Sequence, residues 1–478
     1  MLDKTSFPYG AGLRSLTRET PEPISLDVQG GLPSWLEGTL LRTGPSQFEV
    51  GTRTYNHWFD GLAMLHRFAF AGGRVSYANR FLKSKAFCAA AETGKITYAE
   101  FATDPCRTLF GRVAAIFDPE LTDNCCVNVS RYADTIVALT ETTLPMRFSP
   151  DTLETLGVFA YGDALKGQVS TAHPHYDAGR ARHYNYIVDF GMRSVYRLCS
   201  IGDDGAERVV AELPVGHPAY MHSFGMSEHH LVLTEFPLVV NPIDLRLSGK
   251  PFIQNYRWEP ERGLVFHVVE KDTGKLLRTA RADASFAFHH VNAFADGDGL
   301  AVDVIAYPDA TIVDQLYIAR LRSSAPITAT GTLTRFHTPF ASDAPVTRRA
   351  LAEVPLELPR INYAGFAGKP YRYVWGTGIK AKGDFLDSIV KIDVETGQVA
   401  TWYAAGLYPG EPVFVPSRSA TAEDDGVLLS IVLDTDEQIS FLLVLDAASL
   451  NELARAAAPH AIPFHFHGNY FPNGLEPA

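Results

Sequence analysis

Cysteine is scarce in this 478-residue chain. There are five, Cys88, Cys106, Cys125, Cys126 and Cys199, an odd number without regular spacing and without a CxxC pair. That pattern argues against a disulfide framework and against a thiolate zinc site. Long apolar runs are missing too: none approaches the roughly 18 residues a membrane-crossing helix needs. The opening residues, MLDKTSFPYG, hold no apolar signal-peptide core. Positive charge is in deficit, with 42 Lys and Arg against 54 Asp and Glu, for a formal net charge of −12. This is the opposite of the basic face a general nucleic-acid binder needs. No GxGxxG turn follows a strand, and no Ser or Cys nucleophile elbow occurs, so nothing points to a nucleotide cofactor or an acyl-enzyme. The expectation is a reduced, cytoplasmic protein with no nucleic-acid partner and no protein partner.

What is present is an ordinary globular balance, 46% hydrophobic and 20% charged, with an aromatic surplus at 11%. A chain this long buries a core without covalent staples. Helical periodicity is rare, and short apolar or alternating runs dominate, broken by Asp, Gly and Pro. His66–Phe70, Ala71-Gly72-Gly73 and Val75–Phe81 predict a hairpin. Further strands are predicted over His183–Phe190, Ser194–Ile201, His230–Phe236, Gly263–Glu270, Leu300–Tyr307, Gln315–Leu321, Ser388–Val394, Val427–Leu433 and Phe441–Leu445. An acidic tight turn between strands recurs after Phe148, Val269, Ile392 and Val444. Recurrence of one hairpin type suggests radially repeated sheets, and a single all-β propeller over residues 1–478 is the simplest architecture; a pair of β-sandwiches is the competing one.

One segment, 105–118, departs from the β pattern. Its Leu109, Phe110, Val113, Ile116 and Phe117 fall on one face of a helix, flanked by Arg107 and Arg112. It packs either on the body of the protein or into a membrane surface.

Histidine is abundant, with 16 residues. Four stand in distinctive settings: His173 in Ser170-Thr-Ala-His-Pro-His, His222 in Tyr220-Met-His-Ser-Phe, His289 in Phe286-Ala-Phe-His-His and His467 in Pro463-Phe-His-Phe-His-Gly. They form no local chelate, but inner strands of a propeller converge on one axis. Four neutral imidazoles suit a borderline divalent transition metal. The plainer reading is four hydrogen-bonded core histidines. Spacing alone also leaves His175, His290 and His465 as replacements for their neighbours.

Taken together these motifs resemble the carotenoid cleavage oxygenase family, which includes carotenoid, apocarotenoid and stilbene cleavage dioxygenases and the retinal pigment epithelium isomerohydrolase. The likeness spans nearly the whole chain. It takes in Leu36-Glu-Gly-Thr-Leu-Leu-Arg-Thr-Gly-Pro, Trp58-Phe-Asp-Gly-Leu-Ala-Met-Leu-His, Thr122-Asp-Asn, Leu139-Thr-Glu-Thr and the histidine motifs. It continues through Leu358-Pro-Arg-Ile-Asn, Tyr408-Pro-Gly-Glu-Pro-Val-Phe and Glu423-Asp-Asp-Gly-Val-Leu-Leu-Ser.

The resemblance implies a seven-bladed β-propeller capped by loops and short helices over a central metal. It implies Fe(II) held by His173, His222, His289 and His467 as the catalytic centre, with O2 as co-substrate. Glu141, Glu357 and Glu411 would receive the outer N–H of three of these rings, His173 having no such partner. His465 departs from the family pattern and would crowd the site.

The implied reaction is oxidative cleavage of a C=C bond of a carotenoid or apocarotenoid, with aldehyde or ketone products, including retinal-like ones. The alternatives are a stilbenoid (lignostilbene- or resveratrol-type) dioxygenase, a retinoid-ester isomerohydrolase and a binding-only propeller. Phe101 and Arg131 stand near the places where phenol-cleaving relatives carry a Tyr and a Lys, which counts against the first of these. Trp58, Phe59, Phe101 and Phe294 are the expected substrate-lining aromatics. The segment 105–118 corresponds to a membrane-docking helix, Cys106 to a cysteine acylated in relatives, and Phe236, Leu238, Val239 and Val240 to its apolar rim.

Overall fold

A computed structural model describes residues 8–105, 121–191, 193–323, 325–341 and 343–472. The segment read as a membrane-docking helix, with Cys106, Leu109, Phe110, Val113, Ile116 and Phe117, lies outside the described residues except for its first residue.

Among the described residues the strands gather into seven antiparallel sheets of four to six strands, with two two-stranded ribbons beside them. Each sheet is a meander running outward from a central axis, so the chain forms a seven-bladed β-propeller. The inner strands of blades one to four are Gly468–Pro472, Asn128–Tyr132, His175–Asp177 with Val169–Ser170, and Gly225–Met226. Those of blades five to seven are His290–Asp296, Glu357–Arg360, and Val413–Pro416 with Leu407–Pro409. The ring is closed twice. Gly468–Pro472, near the end of the chain, pairs with Gly38–Gln47 in blade one, and Val28–Gly30 pairs with Glu452–Ala457 in blade seven.

Side-chain alternation explains why the strands read as unbroken apolar runs. Successive residues of a strand point to opposite faces, and a blade has a neighbour on each face. In Ile439–Asp446, Leu442 and Val444 enter the seam with blade one, while Leu443 and Leu445 enter the seam with blade six. Likewise Leu231 and Leu233 pack toward blade three and Val232 toward blade five. Apolar clusters fill the seams around the ring.

The predicted hairpin is present as Leu62–Ala71 and Arg74–Phe81, paired through Ala71 and Arg74. Gly72 and Gly73 form its two-residue turn with φ of +56° and +71°, the left-handed pair a type I′ turn requires. The recurrent acidic turn joins the third and fourth strands from the axis in blades two, four, six and seven. Its backbone bonds repeat: Leu153 N to Ser149 O, Gly274 N to Glu270 O, Gly397 N to Asp393 O and Leu450 N to Asp446 O. The fifth residue of each turn is left-handed, with φ of +58°, +71°, +73° and +59°.

One strand expectation fails. Gln315–Leu321 belongs to two short helical segments, Thr311–Gln315 and Ile318–Leu321. They lie in the crossover between Gly299–Ala306 and Thr332–Pro339. A short apolar run reads as a strand from period alone, but here Leu316, Ile318 and Leu321 turn inward as part of the cap. Phe236, Leu238, Val239 and Val240 are also not an apolar rim. All four are buried, and Leu238–Val239 pairs with Arg257–Trp258. No described helix is long and apolar enough to cross a membrane.

Candidate metal centre

His173, His222, His289 and His467 each sit just before or beside an inner strand, in blades three, four, five and one. Their ring nitrogens meet, with the donor atoms all within 4.8 Å of one another. His173 Nε2 is 3.0 Å from His222 Nε2, and His289 Nε2 is 3.1 Å from His467 Nε2.

The other three blades contribute the carboxylates. Glu141 follows Thr135–Leu139 in blade two, Glu357 opens the inner strand of blade six, and Glu411 lies between the two inner segments of blade seven. His222 Nδ1 lies 2.6 Å from Glu141 Oε1, His289 Nδ1 2.5 Å from Glu357 Oε2, and His467 Nδ1 2.7 Å from Glu411 Oε1. A carboxylate accepts, so the ring proton sits on Nδ1 and the Nε2 lone pair is turned to the centre. His173 has no carboxylate partner among these contacts. Each of the seven blades therefore supplies one member of a four-histidine, three-glutamate constellation.

The carboxylates are held from behind. The Tyr220 hydroxyl donates to both oxygens of Glu141 at 3.0 and 3.2 Å, and the Tyr307 hydroxyl donates to Glu357 Oε1 at 2.7 Å. Glu411 receives Arg360 Nε at 2.8 Å, Arg360 Nη2 at 3.1 Å and the Gly468 amide at 3.0 Å, with Arg42 Nη1 at 3.6 Å. Gly468 must be glycine, since a Cβ there would stand 2.4 Å from Arg42 Cγ and 2.6 Å from the Leu41 carbonyl. Sequence reasoning missed Tyr220 and Tyr307; the first lies two residues from a chosen ligand, the second shares no motif with one.

The electrostatics match this hydrogen-bonding pattern. Burial, reinforced by the three neighbouring imidazoles, keeps His173 well below the usual histidine range. Burial likewise lowers His467 to about 4, against the pull of Glu411. Burial alone would raise Glu411 and Glu357. Arg360, His467 and Arg42 instead hold Glu411 well down, and His289 with the Tyr307 hydroxyl lowers Glu357. His173 and His467 are thus held neutral, and Glu357 and Glu411 are held as anions.

The competing histidines are engaged elsewhere. His175 is bonded to Tyr363 Oη and the Phe224 carbonyl, both at 2.8 Å, and His290 to Ser223 Oγ and Thr234 Oγ1, both at 2.9 Å. His465 does not crowd the centre. Its ring lies over Gly44, where a Cβ would stand 2.1 Å away, and bonds Ser46 Oγ at 3.2 Å.

This donor set fits a transition metal ion. The Nε2 lone pairs of His222, His289 and His467 converge in a buried site, an arrangement that a cation would stabilise. Nitrogens 3.0–3.1 Å apart, in a set spanning no more than 4.8 Å, are close enough to share one ion at bonds of about 2.1 Å.

Beside the cluster lies an apolar pocket whose wall includes Trp58, Phe59, Phe288, Leu358, Phe385 and Phe466. Local structure sets the first two. The buried Asp60 carboxylate accepts from the His57 amide at 3.0 Å, the Ala102 amide at 3.0 Å and Thr103 Oγ1 at 2.6 Å, which pins the Trp58–Asp60 turn. Two expected lining residues are not on this wall. Phe101 packs behind it on His57, Phe59 and Tyr220. Phe294 sits in blade five between Tyr371 and Arg335. Arg131 pairs with Asp203 at 3.7 Å, away from the pocket.

A family model described as retinal pigment epithelial membrane protein matches residues 13–472. The beta,beta-carotene 15,15'-dioxygenase of Mus musculus is 33% identical, over 95% of this chain and 90% of that protein. The carotenoid isomerooxygenase of Galleria mellonella is 35% identical, over 98% and 97%. Among solved structures, a point variant of Synechocystis apocarotenoid oxygenase matches with a TM-score of 0.87 at 27% identity, covering 98% of this chain and 100% of that one. The cobalt-substituted form of that enzyme matches at 0.86 and 27%, covering 98% of each.

Proposed function

The chain belongs to the retinal pigment epithelial membrane protein family of carotenoid oxygenases, and from this we propose that it is an Fe(II)-dependent dioxygenase that cleaves a C=C bond of a carotenoid or apocarotenoid with O2. The overall change is one alkene and one O2 to two carbonyl products, so no external reductant enters. The observation that carries the reading is the meeting of four Nε2 atoms beside a pocket walled by aromatic and aliphatic side chains.

Fe(II) held by His173, His222, His289 and His467 would supply the redox-active centre at which O2 and an electron-rich double bond react. The rest is the work of the chain. Glu141, Glu357 and Glu411 fix the tautomers and ring directions of three ligands. His222, His289 and His467 also line the pocket, so a polyene seated there would lie beside the metal. Trp58, Phe59, Phe288 and Phe466 exclude water and restrain the polyene, so the distance from its seated end to the imidazoles selects the bond that breaks. A stilbenoid phenol is disfavoured, because the wall carries no lysine and its tyrosine, Tyr307, is already bonded to Glu357. In the same reading, the apolar segment 105–118 gives a cytoplasmic protein a peripheral contact with a membrane surface, from which an oil-soluble substrate is drawn.

The test is iron analysis followed by anaerobic incubation with β-apo-8′-carotenal and admission of ¹⁸O-labelled O2. Bleaching only after O2, with labelled carbonyl products, is expected. Persistent colour with iron loaded would reject the reading, and turnover without O2 would favour the isomerohydrolase alternative.

A further inference from the structure

We propose that the pocket selects a hydrocarbon polyene end over a hydroxylated one, and that Thr330 sets whatever tolerance of oxygen it has. This rests on the function proposed above. Nearly all of the pocket surface is carbon, and the polar side chains on its wall can be accounted for one by one. Three are the ring faces of His222, His289 and His467, turned to the metal centre, and Glu357 is held by His289 and Tyr307.

The remaining donors are already committed. Trp58 Nε1 donates to the Phe464 carbonyl at 2.9 Å, the Tyr307 hydroxyl to Glu357 at 2.7 Å, and Thr377 Oγ1 to the Glu357 carbonyl at 3.1 Å. A substrate hydroxyl that took one of these donors would leave a buried acceptor unsatisfied, so the exchange gains nothing. Among the described residues on the wall, Thr330 is the one hydroxyl outside the metal cluster that donates no hydrogen bond within the chain. It lies on the Ile327–Gly331 stretch that leads into Thr332–Pro339.

A hydroxyl on the seated ring would therefore lose its water and find few side-chain partners, Thr330 as a free donor and the spare lone pairs of Tyr307 and Thr377 as acceptors. An apolar pocket rejects such an added hydroxyl by roughly 10- to 100-fold in kcat/KM.

The experiment compares β-carotene with its 3,3′-dihydroxy derivative, delivered in identical micelles to the iron-loaded enzyme, with kcat/KM from product chromatography. Binding is read separately by quenching of tryptophan fluorescence. The dihydroxy compound is expected to fall about 10- to 100-fold in kcat/KM and to bind more weakly. Thr330→Val, close in volume, should lower kcat/KM for the dihydroxy compound about threefold or more relative to that for the hydrocarbon. Equal kcat/KM and equal quenching for the two substrates would overturn the inference and leave the proposed reaction standing. Loss on both substrates alike, or on neither, in Thr330→Val would overturn the role of Thr330. No cleavage of either polyene would overturn the functional reading itself.

Discussion

At the scale of single residues, the three supporting carboxylates do different work because different groups stand behind them. Glu411 is fully buried between His467, Arg360 and Arg42. Glu411→Gln would leave two guanidiniums facing a neutral amide, and breaking a buried pair of this kind costs about 3–5 kcal/mol. A drop of several degrees in melting temperature is expected, with loss of metal. Glu141 faces a phenol instead, so Glu141→Gln should leave the melting temperature nearly unchanged and weaken metal retention about 10- to 100-fold, measured by dialysis against a chelator. Tyr307→Phe removes the 2.7 Å donor to Glu357. Metal retention should fall again, by about 10-fold, because a hydrogen bond to a charged group contributes about 1.5–3 kcal/mol.

At the scale of elements, the repeated outer turn shows what its sequence has to satisfy. Its fifth residue is left-handed in all four copies, glycine at 274 and 397 but leucine at 153 and 450. A leucine there carries backbone strain of about 1–2 kcal/mol, yet both side chains are buried in apolar clusters. Burial of a leucine contributes about 2–5 kcal/mol against truncation, so packing outweighs strain. Leu450→Gly is therefore expected to lower the melting temperature even though it relieves φ; an increase would show that the strain dominates. The four turns were visible in the sequence as acidic motifs, because their hydrogen bonds are local. The two helical segments around Gln315–Leu321 were not, because a short apolar run has no period that separates strand from helix.

At the scale of the whole molecule, ring closure and proton balance decide stability. Gly468–Pro472 is the inner strand of blade one, and it also carries the amide that bonds Glu411. A chain ending at His467 should fail to give a cooperative thermal transition, monitored by near-ultraviolet circular dichroism. For pH, burial lowers His57 and His290 to about 3 and His175, His183 and His460 to about 4. Unfolded, these rings take up protons as pH falls through about 6.5; folded, they do so only near 4 or below. In that window the unfolded chain binds more protons, so stability is lost on acidification, up to about 1.4 kcal/mol per pH unit for each ring. Asp60, raised by burial to about 6, and Glu100, raised further by burial and by Asp60, bind protons when folded and offset part of this. Burial raises Asp384 and Glu423 as well, but it also lowers His66 and His465, so the lowered rings outnumber the raised carboxylates and melting temperatures at pH 6.5, 5.5 and 4.5 should fall in that order.

The all-β meander, the tight turns and the residue types of the centre were legible in the amino-acid order, since strand period, turn chemistry and a histidine quartet are written locally. Spacing left His173 and His175, His289 and His290, and His465 and His467 open; the motif resemblance chose one of each pair, and the folded chain supplies the physical reason. Neighbours in sequence differ by which way a strand end points, and Ser223, Thr234, Tyr363 and Ser46 claim the losers. The tertiary structure also moved Phe101 and Phe294 off the pocket wall, replaced them with Phe288, Phe385 and Phe466, and brought Tyr220 and Tyr307 behind the carboxylates. Such contacts join residues far apart in the chain, and only closure of seven blades around one axis sets their distances.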